Sequence, residues 1–152
     1  DVHVDGLNPV ARTNVAPPVD PVGEGSVYAF SYTVPSPAPA DTFVIAGAGE
    51  FEAGAIVAQG DTSPAALVRK AQRVMAIMAE RLEGMGLGWE AATQMLVYCV
   101  HDIHPLMATE LLPKMGAGAA HGIRWHYAAP PVHDVEFEMD VRGVRREIVV
   151  QA

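Results

Sequence analysis

A long amphipathic run, followed closely by a strand too apolar for solvent, constrains this chain more than any other feature. Asp61-Thr62-Ser63-Pro64 offers a helix N-cap and a proline at the first helical position. Leu67, Ala71, Val74, Met75, Met78, Leu82 and Met85 then recur at helical spacing and form one apolar stripe. Arg69, Lys70, Arg73, Glu80, Arg81 and Glu83 occupy most of the remaining surface, and Gly84 and Gly86 stop the run. Residues 89–92 suit a single helical turn. Residues 93–100 (TQMLVYCV) read as a buried strand, apolar on both faces in their second half. Strand, long helix and strand in succession imply a right-handed crossover between parallel strands.

The elements around this unit are shorter. Residues 1–25 hold Pro9, Pro17, Pro18 and Pro21 with Gly6, Gly23 and Gly25, and read as an irregular arm on the surface or on a neighbour. The domain proper is expected over residues 26–152. Within it, residues 26–34 (SVYAFSYTV) and 42–46 (TFVIA) read as strands, and residues 55–58 as a third short one. Gly47–Gly49 (GAG) permits close approach of backbone to another group. Pro105 opens a second helix through Leu112, which Pro113 should end. Residues 116–120 (GAGAA) read as a connector and 123–128 as a strand. In residues 135–141, Val135, Phe137, Met139 and Val141 alternate with Glu136, Glu138 and Asp140, and Arg142 follows. This strand therefore has one apolar and one acidic face. Arg142-Gly143 reads as a turn and residues 147–150 as a last strand.

Composition narrows the function. The chain has 152 residues, half of them hydrophobic and 18% charged, which suits one domain with its own core. No run approaches the ~20 apolar residues that span a bilayer. The chain opens on Asp1, so the original N-terminus is expected to have been lost or processed, which leaves a lost targeting segment open. Ten basic residues stand against 18 acidic ones, a formal net charge of −8, and this argues against nucleic acid as a partner. The one cysteine, Cys99, allows no intrachain disulfide and no cysteine-based zinc site. It suits a reducing, cytoplasmic compartment, and its apolar setting makes it core filler rather than a nucleophile. His101 and His104 flank Asp102 in a spacing that can bind metal, but a capped helix N-terminus is the simpler reading. His3 and His133 read as surface residues.

Four stretches taken in order resemble the Rid (YjgF-like, reactive-intermediate deaminase) family. Gly86-Leu87 with residues 93–103 (TQMLVYCVHDI) resembles that family's Gly-Leu, strand and "V(F/Y)V-x-D-(L/I)" segment. Residues 42–47 (TFVIAG) resemble the strand that enters its "SGQ" turn, here Ala46-Gly47-Ala48, without the serine or the glutamine. Residues 65–82 sit where the family has its long helix, and residues 131–140 (PVHDVEFEMD) resemble its closing "P-x-x-x-VEIE" strand. The resemblance implies an α/β (α+β) fold of the chorismate-mutase type. One mixed sheet would carry two helices on one face, and three chains would form a central barrel with clefts between them.

It also implies a chemistry: metal-independent hydrolysis, without a cofactor, of an imine or enamine on a small carboxylate-bearing metabolite. Glu138 matches the family's cleft glutamate, which positions a water for attack. Ile123 falls at the position of the family's carboxylate-gripping arginine, with Arg124 beside it. A shift of one residue turns a strand side chain to the opposite face, so Arg124 serves only if a bulge or shorter turn intervenes. Trp125, His126, Tyr127 and Gly47 are the other expected substrate contacts, and His121 brackets the same strand. Glu136 and Asp140 read as a solvated face. The alternative function is a non-catalytic homotrimer that binds a small metabolite or acts as a chaperone. A ribonuclease is disfavoured by charge.

Overall fold

The computed structural model describes residues 10–21, 23–37 and 41–150. The first nine residues of the arm, His3 among them, lie outside the described residues. The long helix, α1 (Pro64–Gly84), forms as its sequence dictates. Ser63 is extended and its hydroxyl accepts the Ala66 N–H at 3.3 Å, with Pro64 in the first turn. At the other end Leu87 N–H reaches Leu82 O at 2.9 Å and Gly86 N–H reaches Glu83 O at 2.8 Å. Gly86 has a φ of +71°, so glycine closes the helix in a Schellman motif.

Four strands make the main sheet: β1 (Phe43–Gly49), β4 (Gln94–Tyr98), β5 (Arg124–His126) and β6 (Glu138–Gly143). Two further strands, β2 (Phe51–Glu52) and β3 (Ala55–Ile56), form a separate hairpin. The sheet order is β1-β6-β4-β5. β6 is antiparallel to both neighbours, and β4 and β5 are parallel. The strands joined through α1, β1 and β4, thus run in the same direction, as the crossover argument requires, but β6 lies between them.

Phe43, Ile45, Met95, Val97, Met139 and Val141 face the helices and pack with the α1 stripe into one core. The second helical region runs through α2 (His104–Leu106), a π-helical turn (Met107–Leu111) and α3 (Leu112–Met115). Pro113 does not end it. It falls in the first turn of α3, where its missing N–H leaves no broken bond, and the widened π turn before it resets the ladder.

Several expected strands are corrected. Residues 26–34 pair with nothing as a strand; Val27, Tyr28, Phe30, Tyr32 and Val34 are 66–82% exposed. Residues 147–150 are likewise irregular, with Ile148, Val149 and Val150 exposed. Both segments have strand composition but no ladder partner among the described residues. Residues 116–121 form a 3-10 turn rather than a loose connector. Arg142 and Gly143 continue β6 instead of turning, and β6 begins at Glu138 rather than at Val135.

Residues 136 and 137 are held differently. The Glu50 carboxylate accepts the backbone N–H of Glu136 at 2.7 Å and of Phe137 at 3.1 Å. Lys70 leaves the polar surface predicted for it, is fully buried, and pairs with Glu50 at 3.0 Å. Removing one partner of a buried ion pair strands the other charge. Lys70→Met should therefore lower the unfolding free energy by about 3–5 kcal/mol, read by urea denaturation at matched protein concentration, whereas Arg69→Met at the exposed surface should stay within about 0.5 kcal/mol.

Candidate active site

The face of the sheet opposite the helices carries the ionisable side chains. Strand alternation places Glu138, Asp140 and Arg142 of β6 there, beside Leu96 and Tyr98 of β4 and Arg124 and His126 of β5. This is the acidic row expected from the sequence, but it is not a solvated one. Glu138 is 8% exposed and Asp140 is fully buried.

Glu138 is seated by β1. The pairing of β1 with β6 shifts between Ile45 and Ala48, a bulge that carries Gly47 over the carboxylate. A methyl group on the Gly47 Cα would lie 1.8 Å from Glu138 Oε1 and 3.2 Å from Thr13 Cγ2. The carboxylate occupies the space that any side chain would need. Burial, then the charges of Asp140 and Glu50, raise the Glu138 pKa to about 7.

Asp140 has the opposite surroundings. Tyr98 Oη donates to it at 3.1 Å and an Arg142 guanidinium nitrogen at 3.0 Å. The Thr13 hydroxyl also donates to Asp140 and accepts the Gly47 N–H at 2.9 Å. The N-terminal arm thus contributes to the site, anchored by paired backbone hydrogen bonds between Ala16 and Ala129. Burial and the adjoining Asp140 charge raise the Tyr98 pKa, so its hydroxyl keeps its proton. Two carboxylates on one strand are thereby differentiated: Asp140 has three donors, whereas Glu138 is poised between its two forms.

The expected substrate contacts are dispersed. His126 stacks on Tyr98 at 5.2 Å between ring centroids, and Tyr28 of the arm lies edge-on to it at 5.6 Å. Its Nε2 is buried without a hydrogen-bond partner; burial and then Arg124 hold its pKa below the usual histidine range. Arg124 pairs with Glu147 at 3.1 Å and sits opposite Leu96, whereas Glu138 sits opposite Tyr98. Two strand spacings and two residues separate them, about 10 Å across the sheet and about 7 Å along it. Trp125 points to the helix face, donating from Nε1 to Cys99 O at 2.9 Å, with His104 edge-on at 5.4 Å. Tyr127 is 54% exposed and lies edge-on to Trp125. Gly47 is the only one of the five that meets Glu138 directly.

Other readings resolve more simply. Asp102 caps the second helix by accepting the His104 N–H at 3.0 Å, and the His104 ring contacts the same oxygen. Glu136 pairs with His101 at 2.7 Å, away from Glu138. Cys99 is buried, its thiol pushed up to about 11, chiefly by desolvation, and it is core filler. Among the described residues, no group of three or more His, Cys, Asp or Glu side chains is arranged to hold a metal.

A cavity of about 270 Å³ opens beside β1, with Glu138 in its lining. Phe51, Ile77, Val132 and Val135 form apolar walls, and Arg81 of α1 stands in it, donating to Ala46 O at 3.0 Å. Sequence reasoning assigned Arg81 only to the polar side of its helix. It also missed Thr13 and Tyr98, because tertiary packing rather than local spacing brings them to this face.

Comparison with known proteins agrees with this architecture. The family model described as 2-aminomuconate deaminase CnbZ matches residues 1–148. A 2-amino-5-chloromuconate deaminase from Comamonas testosteroni is 45% identical over 98% of this chain. The chain spans about 62% of that relative's length. A Rid-family protein of unknown function from Yersinia pestis superposes with a TM-score of 0.50 at 20% identity, covering 80% of this chain and 95% of that one. A protein from Thermotoga maritima, titled a candidate endoribonuclease, gives 0.52 at 17% identity, covering 93% of this chain and all of that one. At such identities these two structures speak for the fold, which is of the chorismate-mutase type. With its sequence match spanning nearly the whole chain, this protein belongs to the 2-aminomuconate deaminase CnbZ family.

Proposed function

We propose that this protein hydrolyses an imine or its enamine tautomer on a small unsaturated metabolite that carries carboxylates, as the name of its Comamonas relative suggests, and releases ammonia. The observation that carries this reading is Glu138: a buried carboxylate in the lining of a cavity, held near neutrality by burial and like charge. Water adds to the C=N carbon as Glu138 removes its proton, and the electron pair of the C=N bond moves to nitrogen. Glu138 returns that proton to the nitrogen to give the carbinolamine, then carries the hydroxyl proton to the same nitrogen as the C–N bond breaks, the C=O bond forms and ammonia leaves. One water is consumed and one ammonia formed. A group with a pKa close to working pH serves both steps. The chain's own residues supply this acid–base step.

Assembly as a homotrimer belongs to the same reading. The exposed apolar rows at residues 26–34 and 148–150 are available to a neighbouring copy, and β5 is an edge strand. Arg124, His126 and Tyr127 would then address a cleft between subunits, while Trp125 anchors β5 to the end of β4. The single buried cysteine suits a cytoplasmic setting. No helix among the described residues is long and apolar enough to cross a membrane.

Glu138→Gln keeps the shape and removes the titration, so ammonia release from a freshly generated aminomuconate-type enamine should fall ~100-fold or more. Wild-type turnover in that variant would end the catalytic reading. In the wild type, kcat/KM should fall as pH drops through about 7, where Glu138 takes up its proton. Asp140→Asn removes a charge that raises that pKa, and should move this limb to lower pH. Sedimentation showing a stable monomer at micromolar concentration would refute the trimer.

A further inference from the structure

The cavity lined by Glu138 carries a second charged side chain. Arg81 lies in the last turn of α1, which carries it against the edge of β1. It is exposed, and its Nη1 donates to Ala46 O at 3.0 Å, inside the β1 bulge. That bond uses one of five N–H donors. Among the described residues lining the cavity, Arg81 is the one cation and Glu138 the one carboxyl group. Phe51, Ile77, Val132 and Val135 add apolar wall.

A cation, a stretch of apolar wall and a proton-exchanging carboxyl group match a specific kind of molecule. Flat unsaturated carbon would lie along the walls. An anionic group would meet the arginine fork, which fits a carboxylate through two parallel hydrogen bonds. At about 270 Å³ the cavity falls at the small end of ligand pockets, a size for a small metabolite. The fixed bond to Ala46 lowers the entropy lost when the fork engages a ligand.

We propose that Arg81 is a carboxylate-binding subsite, so that the cavity takes a conjugated chain bearing a carboxylate in preference to its uncharged counterpart. Which end of the ligand reacts rests on the deaminase reading of Glu138; the binding of the anion at Arg81 does not. The site is separate from β5, where Arg124 is engaged by Glu147.

Titration calorimetry with two unreactive probes tests this on the intact protein. Sorbate is a conjugated six-carbon chain with one carboxylate, and sorbamide is the same chain with that charge removed. Wild type should bind sorbate about 10- to 100-fold more tightly than sorbamide, the scale of one charge-assisted hydrogen-bonded pair. Arg81→Gln should erase that preference while leaving sorbamide affinity unchanged, and Arg81→Lys should restore only part of it. Equal affinity of the wild type for both probes, no sorbate binding, or an Arg81→Gln variant that still prefers sorbate would each overturn the proposal. So would loss of sorbamide together with sorbate, which would make Arg81 a support for the helix end. If sorbate behaves as expected and no enamine releases ammonia, the subsite stands and the deaminase reading falls.

Discussion

The buried Glu50–Lys70 pair ties together three parts of the chain that lie apart in sequence. Glu50 follows directly on β1, Lys70 belongs to α1, and the same carboxylate holds the backbone of Glu136 and Phe137 just before β6. Such a pair gains little over apolar packing in net stability, because both charges lose their water. What it supplies here is register. With two backbone N–H groups fixed immediately upstream, Glu138 enters the sheet opposite Gly49 and Tyr98, and a slip of one residue would turn it into the helix-facing core. The chemistry of the site rests on an interaction with no part in the chemistry. The same negative charge also contributes to holding Glu138 towards its neutral form, after burial and Asp140.

The helix, its two ends and the apolar strand β4 were legible in the sequence because their signals are local: a cap, a stripe, a terminal glycine, an unbroken apolar run. The alternation in residues 135–141 identified the acidic row, and the resemblance to the Rid family distinguished Glu138 within it. What alternation cannot report is whether a polar face meets solvent or other protein. The arm residue Thr13 covers Asp140, more than a hundred positions away in sequence. Lys70 misled for a related reason. Its place on the helical wheel is polar, and only a buried carboxylate from outside the helix makes that position interior. Arg81 is at the surface, as its place on the helix implies, and only the β1 bulge brings Ala46 O against its guanidinium.

Residues 26–34 and 147–150 failed in the other direction. Their β-branched and aromatic content is that of strands, and β-propensity describes how well side chains fit a half-buried pleated surface rather than a preference of the backbone alone. Without an adjacent edge that content has nothing to act on. The same limit applies to β5, where Arg124, Trp125 and His126 alternate as expected but divide between two faces. His126 is left stacked on Tyr98 with a buried nitrogen, and Trp125 is built into the helix side.

Gly47 has a consequence for how this protein can diversify. Because the glutamate oxygen fills the place of its absent side chain, the position admits no graded change; it is glycine or the carboxylate is displaced. Variation in what the cavity accepts must then come from the walls. Phe51, Ile77 and Val132 line the cavity from three separate segments of the chain. A change at Gly47 moves the carboxylate itself, whereas a change in these walls alters the shape of the space around it, so the two kinds of variation act on different properties.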